Sequence, residues 1–492
     1  MATRKTTKKR SRKLASPIRF GTSGWRALIA RDFTFHNVKL AAQATADYFN
    51  KELADPESPI HGRKPLILVG HDARFLGREF ALLTAEVLAA NGLQPQVFDR
   101  DTPTPVIAFS IKKRRAIGAV NITASHNPPT YSGYKLSLWN CAGAPPEVTK
   151  QIEARADELL NQGWTFTSSV AGAFHCKGLD GRPAYLDRLR KLVDLDAIRS
   201  AKLKIGLEFM YGTGRGYLDT LLTEAGATIE SFHDYLNPSF GGRNPEPDSG
   251  GMESVRQYVL EQKAHLGLGL DGDADRFGVV DADGTWLTPN QILALALYHL
   301  KKNRGFTGAA VRTVPTSHQV DSVARMLGVK IHETPVGFKH IGALMESEPI
   351  IVGGEESGGL SIKGHVPEKD GILACLLMAE LVAMEGRTLG EILTDLEKQT
   401  GEFHTTRINI HIEAAQKKAI QKFLSKGVEK IGKIPVEGFI KTDGYKFLLP
   451  NEEWVAFRAS GTEPVFRCYI EARSESQMKI LAKACDKLLK SI

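Results

Sequence analysis

Apolar positions along the chain form short strand-like runs separated by stretches of helical periodicity. Three segments repeat the order strand, helix, strand, helix, strand, and each ends in a polar or glycine-rich loop. The predicted strands are 66–70, 96–99 and 118–124, then 203–209, 228–232 and 266–270, then 309–314, 329–333 and 349–353. The helices between them include 81–90, 216–225 and 320–327. Because this is the spacing of right-handed βαβ units, the pattern predicts three related α/β domains with mixed sheets.

The pattern changes near residue 401. A strand at 406–412, a helix at 415–424, further strands and a terminal helix from Glu475 predict a C-terminal α+β domain. Each of the three related domains presents its polar loop at the carboxyl end of its strands, where ligands of α/β sheets bind. Because the loops occupy the same place in each domain, we expect the domains to surround one central cleft. The predicted segments are a tail at 1–16 and domains at 17–175, 176–300, 301–400 and 401–492.

Charge and apolar composition narrow the class of protein. The net charge is +8, and seven basic residues within the first 13 positions carry most of it. This run lacks apolar periodicity, which predicts a disordered basic tail, with an arm for nucleic acid or a membrane surface as the less favoured alternative. No apolar stretch approaches the roughly 18 residues of a membrane span. Five scattered cysteines indicate a reducing compartment, so we expect a cytoplasmic protein. We also expect no membrane partner, and a monomer or a homodimer.

Three aspartates alternate directly after the strand at 266–270. On an extended segment, Asp271, Asp273 and Asp275 would direct their carboxylates to one side, within reach of one cation. Three hard oxygen donors suit Mg²⁺. A calcium-binding EF-hand loop is excluded because Arg276 stands where that loop needs glycine. An acidic turn that binds nothing is the alternative, but three unpaired carboxylates repel strongly without a cation.

A serine follows the third strand of the first segment, within residues 123–128 (Thr-Ala-Ser-His-Asn-Pro). By itself Ser125 is a weak nucleophile, and most serines in such turns only cap or close the turn. Lys135 lies nearby in sequence and offers a proton donor or acceptor, although a surface lysine is the ordinary alternative. No Gly-x-Ser-x-Gly sequence occurs, so the pattern does not support a serine hydrolase.

Two further loops have the composition of phosphate-binding sites. Residues 458–464 (Arg-Ala-Ser-Gly-Thr-Glu-Pro) combine a guanidinium group, two hydroxyls and a glycine that allows backbone N–H groups to approach an anion. Residues 21–26 (Gly-Thr-Ser-Gly-Trp-Arg) offer similar groups, with a plain hairpin turn as the alternative.

Taken together, the order and spacing of these loops resemble the α-D-phosphohexomutase family, from about Phe20 to the C-terminus. The resemblance implies that Ser125 carries a phosphoryl group and that Asp271, Asp273 and Asp275 hold one Mg²⁺ against it. It also implies roles near the transferring group for Lys135, Arg26, His126 and Arg276. The sugar and its distal phosphate would be held by Glu355, Ser357, Lys339, Arg458, Ser460, Gly461 and Thr462.

The implied reaction interconverts glucose 1-phosphate and glucose 6-phosphate through a phosphoserine and a hexose 1,6-bisphosphate, which also acts as activator. Gly359 stands where members that use mannose and glucose often have histidine, and Phe338 likewise replaces a histidine. Lys339 resembles a lysine of glucose-directed members, and Glu356 replaces the glutamine of N-acetylglucosamine-directed ones. A phosphomannomutase or a dual-specificity enzyme is the alternative. A metal-dependent phosphatase and a non-catalytic phosphosugar-binding regulator are the hypotheses from other classes.

Overall fold

The computed structural model describes residues 14–166, 178–413, 416–459 and 465–492. Within these ranges, four sheets of four to six strands define four domains along the chain. Among the helices of the same ranges, none combines the length and the apolar character that crossing a bilayer requires.

The first domain contains a six-stranded sheet. Its strands are Phe20–Gly21 (β1), Gly24–Leu28 (β2), Leu66–His71 (β3), Gln94–Val97 (β4), Gly118–Ile122 (β5) and Tyr131–Leu138 (β6). Its helices are Phe35–Ala54 (α1), Gly77–Ala90 (α2), Thr104–Arg114 (α3) and Pro146–Asn161 (α4). The strand order is β1-β2-β6-β5-β3-β4, with β3, β4 and β5 parallel and β6 antiparallel to β5. Strand β5 is buried along its whole length, as expected where helices cover both faces.

The second domain contains a five-stranded sheet. After helices Arg182–Leu192 (α5) and Leu195–Ala201 (α6), its elements are Lys204–Glu208 (β7), Leu218–Glu224 (α7), Thr228–Phe232 (β8), Glu253–Gln262 (α8), Leu266–Leu270 (β9), Phe277–Asp281 (β10) and Trp286–Leu287 (β11). A short 3₁₀ turn lies at Phe240–Gly242. The strand order is β11-β10-β9-β7-β8, in which β7 is parallel to both β8 and β9.

The third domain contains a four-stranded sheet with the order β13-β12-β14-β15. Its elements are Pro289–Lys302 (α9), Ala309–Thr313 (β12), Gln319–Met326 (α10), Ile331–Thr334 (β13), Phe338–Ser347 (α11), Ile350–Glu355 (β14), Gly359–Ile362 (β15), Gly371–Glu385 (α12) and Leu389–Thr400 (α13). Helix α12 is buried along most of its length because it packs between the second and third sheets, against β9, β10 and β15.

The fourth domain is an antiparallel sheet with two helices. Its elements are His404–His411 (β16), Lys417–Ser425 (α14), Lys430–Ile431 (β17), Ile434–Pro435 (β18), Gly438–Ile440 (β19), Tyr445–Leu448 (β20), a 3₁₀ turn at Pro450–Glu452, Trp454–Ala459 (β21), Val465–Ala472 (β22) and Glu475–Lys490 (α15). The main sheet has the order β16-β22-β21-β20-β19.

The first three domains share one plan, which confirms the predicted fold. Each contains a strand-helix-strand-helix-strand unit: β3-α2-β4-α3-β5, then β7-α7-β8-α8-β9, then β12-α10-β13-α11-β14. The first strand of each unit lies between the other two and is parallel to both. Each unit then continues through a loop into an antiparallel strand, which the sequence pattern did not predict.

Two predicted boundaries require correction. The boundary near residue 300 falls inside α9, which packs on β14 and α10 of the third domain, so the third domain begins near residue 288. The predicted tail extends too far, because the backbone N–H of Leu14 donates to Asn161 and that of Ser16 donates to Asp157, both on the first domain. Residues 1–13 and the predicted boundary at 175 lie outside the described residues.

Candidate active site

Ser125 lies in the loop that joins β5 to β6, at the carboxyl end of the parallel strands. Its side chain is 1% exposed, and its Oγ donates a hydrogen bond of 2.8 Å to Oδ2 of Asp271. The Nδ1 of His126 lies 3.4 Å from the same Oγ. The loop therefore brings one hydroxyl into direct contact with the aspartate loop of the second domain.

The aspartate loop, residues 271–276, connects β9 to β10. Carboxylate oxygens of Asp271, Asp273 and Asp275 lie within 4.8 Å of one another, and all three residues are buried. The expectation of an extended segment was wrong, because Ala274 has a φ of 57° and its N–H donates to the carbonyl of Asp271 at 3.0 Å. A turn, rather than strand alternation, makes the carboxylates converge.

Two lysines from different domains neutralise part of this acidic cluster. Lys135, on β6, donates to Oδ2 of Asp273 at 2.6 Å and to Oδ2 of Asp275 at 3.0 Å. Lys369, which precedes α12, donates to the same oxygen of Asp275 at 2.9 Å. Burial alone would raise the pKa of Asp275. The pKa nevertheless lies well below its ordinary value, because the positive charges of Lys135 and Lys369 face the carboxylate.

The donor set fits a divalent cation. The Oδ1 atoms of Asp273 and Asp275 are buried and have no hydrogen-bond partner among the described residues. Burial, and then repulsion from the other two aspartates, raises the pKa of Asp271 well above its ordinary value. Carboxylate oxygens are the ligands that Mg²⁺ prefers, and a bound cation would relieve the repulsion between them. The Oγ of Ser125 lies close enough for a phosphoryl group on it to complete such a site.

Two arginines lie beside the serine and the aspartates. Arg26, on β2, donates to Oδ1 of Asn127 at 2.8 Å. The backbone N–H of Arg276 donates to Oδ1 of Asp271 at 3.0 Å, and its guanidinium contacts Glu246 at 3.1 Å. Burial, and then the charges of Arg276 and Arg26, lower the pKa of His126 far below its ordinary value, so this imidazole is neutral.

The predicted sugar-binding residues lie at the carboxyl end of β14 and the start of α11. Glu355 is 7% exposed and accepts a hydrogen bond of 2.9 Å from the N–H of Gly337, which precedes α11. Ser357 and Arg276 line one cavity of about 280 Å³ that the second, third and fourth domains enclose. Lys339, in the first turn of α11, is half-buried, and burial lowers its pKa.

Arg458, at the end of β21, faces the third domain. Its Nε donates to Oδ2 of Asp443 at 2.9 Å, and the same oxygen accepts the N–H of Val336 at 2.9 Å. Burial by itself would lower the pKa of Arg458, but the carboxylate of Asp443 raises this pKa above its ordinary value. Ser460, Gly461 and Thr462, the other predicted residues of this loop, lie outside the described residues.

Sequence reasoning missed several side chains of the cluster. Besides Lys369, they include Thr104, whose hydroxyl donates to Oδ2 of Asp273 at 2.6 Å, and Arg74, which is 3% exposed and donates to the carbonyl of Ser125 at 2.6 Å. None of them belongs to a loop with a recognisable composition. The one sequence signal for Arg74 is that it stands between apolar residues, where a charged side chain is unusual.

Comparison with known proteins gives the same family for all four domains. The chain matches the four domains described as phosphoglucomutase/phosphomannomutase: α/β/α domain I over residues 17–162, domain II over 183–284, domain III over 288–400 and the C-terminal domain over 408–488. A phosphoglucomutase/phosphomannomutase of Thermococcus kodakarensis is 31% identical over 96% of this chain and 98% of its own.

Other relatives differ in their assigned substrate. A phosphoglucomutase of Komagataeibacter xylinus is 30% identical over 94% of this chain and 89% of its own. A protein of Methanosphaera stadtmanae assigned as a phosphoglucosamine mutase is 26% identical over 97% of this chain and 99% of its own. The solved structure of a Thermus thermophilus protein assigned as a phosphomannomutase has a TM-score of 0.83 and 31% identity, covering 97% of this chain and 100% of that one.

Proposed function

Since the chain belongs to the phosphoglucomutase/phosphomannomutase family and is a phosphohexomutase, we propose that it interconverts glucose 1-phosphate and glucose 6-phosphate. In this proposal Ser125 carries the phosphoryl group, and hexose 1,6-bisphosphate is both intermediate and activator. The hydrogen bond of 2.8 Å between Ser125 Oγ and Asp271 carries the proposal, because it sets a phosphorylatable hydroxyl against a cation site.

Phosphoryl transfer needs charge stabilisation and in-line positioning more than it needs an aggressive nucleophile. Mg²⁺ bound by the three aspartates would stabilise negative charge on the transferring oxygens. Arg26 and Arg276 supply positive charge from the protein itself, since both lie close enough to His126 to lower its pKa. The neutral imidazole of His126 can then donate or accept one hydrogen bond beside the Ser125 oxygen.

The proton of the reacting sugar hydroxyl needs an exchange partner. When the bond between phosphorus and Ser125 Oγ breaks and the bond to the sugar oxygen forms, that hydroxyl loses its proton. Lys135 donates to Asp273 and Asp275 and is the proposed partner. Burial alone would lower the pKa of Lys135, but these two carboxylates raise it above its ordinary value. A cation held by the same carboxylates would weaken that pairing and lower the pKa, so that the neutral amine could accept the hydroxyl proton. In the reverse transfer the Lys135 ammonium returns a proton to the departing sugar oxygen.

The bisphosphate must turn around so that either phosphate can face Ser125. Arg458 and the hydroxyl-rich loop that follows it would grip the distal phosphate without reading which carbon bears it. Glu355 and Ser357 would bind hydroxyls near the middle of the ring, which both orientations present at the same place. The hydrogen bond from the N–H of Gly337 to Glu355 supports this, because it fixes the carboxylate at the start of α11.

Glucose is the proposed sugar. Phe338 and Gly359 replace histidines found in members that use mannose and glucose about equally. Glu356 stands where N-acetylglucosamine-directed members have glutamine, and one of its carboxylate oxygens accepts a hydrogen bond of 3.1 Å from the hydroxyl of Thr313. An ionised carboxylate has no N–H group to donate to the carbonyl of an N-acetyl group, which argues against that substrate. A dual phosphomannomutase/phosphoglucomutase is the second candidate, which the mixed assignments of the relatives favour.

A comparison of substrates tests the proposal. The enzyme is incubated with Mg²⁺ and glucose 1,6-bisphosphate, and kcat/KM is measured on the 1-phosphates of glucose, mannose and glucosamine. We expect glucose 1-phosphate to give the highest value and the enzyme to carry one phosphoryl group on Ser125. Equal values for mannose would favour the dual enzyme. Steady release of inorganic phosphate with no isomer formed would contradict the proposal and indicate a phosphatase.

A further inference from the structure

Ser125 has a backbone conformation that few residues with a side chain adopt. Its φ is 51°, in the left-handed region, where close contact between Cβ and the carbonyl oxygen is unfavourable for an L-residue. Such a conformation persists only where the surroundings impose it. The residues that impose it on Ser125 therefore control the direction of its Oγ.

Arg74, in the loop between β3 and α2, is the main constraint on the serine loop. Its side chain is fully buried, as is that of Asp72, to which its Nε donates at 3.0 Å. All five N–H groups of the guanidinium are used. The other four donate to carbonyl oxygens of the serine loop and its exit, at 2.6 Å to Ser125, 2.7 Å to Asn127, 2.7 Å to Pro128 and 2.9 Å to Tyr131.

The amide of Ser125 is held by the same pair through a second route. The N–H of Ser125 donates to Oγ1 of Thr123 at 2.9 Å, and that hydroxyl donates to Oδ2 of Asp72 at 2.6 Å. Together with the contact between Arg74 and the Ser125 carbonyl, these bonds form a closed ring around one residue. Both backbone polar groups of Ser125 are thus fixed by one buried ion pair.

This ring lies where the serine loop meets the second domain. The guanidinium carbon of Arg74 lies 5.0 Å from the ring centroid of Phe240, a buried residue of the second domain. A Cβ placed on Gly272, within the aspartate loop, would come within 2.8 Å of the Ser125 carbonyl oxygen. Because the two loops are in contact here, a shift of the Ser125 backbone would also move Oγ relative to Asp271.

We propose that Arg74, acting with Asp72 and Thr123, is a positioning residue that holds Ser125 in its left-handed conformation so that Oγ faces Asp271. This inference rests on the proposed role of Ser125 as the phosphoryl carrier. Arg74 touches neither substrate nor metal in this scheme, and it acts through the backbone of Ser125. A lysine could not replace it, because three donors on a flexible stem cannot satisfy four carbonyls and a carboxylate in one plane.

Two variants test the two halves of the ring. Arg74→Lys keeps the charge and removes the planar fork, whereas Thr123→Val keeps the shape and removes the hydroxyl. Purified full-length variants are assayed for kcat, KM and the single-turnover rate of phosphoryl transfer from glucose 1,6-bisphosphate to Ser125. We expect kcat and the transfer rate of Arg74→Lys to fall about 100-fold, since misplacement by about 1 Å has an effect of this size. KM should stay within about threefold, because the distal phosphate grip is untouched.

A double variant and a control separate positioning from general stability. If the ring acts as one unit, the combined Arg74→Lys and Thr123→Val loss is smaller than the product of the single losses. Arg304→Lys is the matched control: it weakens the contact of Arg304 with the buried Glu380, away from the serine loop, so it should lower the melting temperature and leave kcat unchanged. If Arg74→Lys does not fold, Thr123→Val decides by the same readouts.

The inference would be overturned if the folded variants kept the wild-type kcat and transfer rate, or if only their KM rose. It would also be overturned if the loss in kcat of the double variant equalled the product of the two single losses. Failure of the proposed function looks different, because the wild-type enzyme itself would then place no phosphoryl group on Ser125.

Discussion

The hydroxyl of Ser125 donates a hydrogen bond of 2.8 Å to the carboxylate of Asp271, although 146 positions separate the two residues in the chain. They belong to different sheets, at the ends of β5 and β9. The contact forms because both loops leave the carboxyl ends of parallel strands in domains built on one plan. The proposed reacting hydroxyl and the candidate cation site therefore meet across a domain interface.

Replacement of Ser125 by alanine removes the proposed phosphoryl carrier. We expect Ser125→Ala to lose at least about 1,000-fold in kcat, because no other hydroxyl among the described residues occupies the position next to Asp271 that a covalent relay requires. The measurement is a coupled assay of glucose 6-phosphate formation with bisphosphate present. Ser132→Ala is the matched control, since Ser132 is also a buried serine on the adjoining strand β6. Full activity of Ser125→Ala would refute the relay.

Cation binding is expected to stabilise the second domain as well as support catalysis. Mg²⁺ at 100 times its Kd should add about 2.7 kcal/mol to the free energy of unfolding, because it binds only the folded aspartate loop. Asp273→Asn should lose most of this Mg²⁺-dependent rise in melting temperature, whereas Asp234→Asn, an exposed position of the same domain, should keep it. The rise is measured by thermal unfolding with and without Mg²⁺. An equal rise in both variants would place the cation elsewhere.

Arg458 is expected to contribute mainly to substrate affinity. Arg458→Lys replaces a planar fork that can form two parallel hydrogen bonds to a phosphate with a single ammonium, so KM should rise about 10-fold with a smaller change in kcat. Steady-state kinetics on glucose 1-phosphate measure both values. Arg473→Lys, on the same domain but in contact with Glu452, is the control and should leave KM unchanged. A fall in kcat at constant KM would contradict a role in distal phosphate binding.

Lys446 gives the fourth domain an unusual dependence on pH. Its ammonium is buried, donates to the carbonyl of Val314 at 2.8 Å and lies 3.3 Å from Glu333. Burial, and then the charge of Arg312, lower the pKa of Lys446 to about 8. In the unfolded chain a lysine keeps its proton to about pH 10.4. Between these values the unfolded state binds more protons, so stability rises with pH.

The variant Lys446→Met tests whether stability rises with pH in this way. Between pH 8 and pH 10 the free energy of unfolding of the wild-type fourth domain should gain about 2–3 kcal/mol relative to Lys446→Met, and below pH 8 the difference between them should be constant. Denaturant unfolding at several pH values measures it, with the transition of the fourth domain followed separately because a four-domain chain need not unfold in one step. Parallel pH profiles for the two proteins would show that Lys446 keeps an ordinary pKa.

The sequence by itself determined the domain plan and the chemical character of the loops. Strand and helix periods are local properties, so the βαβ units could be read from the order of apolar and polar positions. The composition of the loop with Asp271, Asp273 and Asp275 was enough to mark it as a candidate cation site. The turn at Ala274 was missed because a left-handed residue other than glycine leaves no signal in a single sequence.

Only the tertiary structure decided which distant residues meet. Lys369 reaches Asp275 from a position 94 residues away, and Arg74 holds the Ser125 carbonyl from 51 residues away. Neither contact follows from periodicity, because it depends on how helices pack on sheets and how domains pack on one another. Burial then changes the chemistry of the same side chains, since removal of water strengthens each charge interaction.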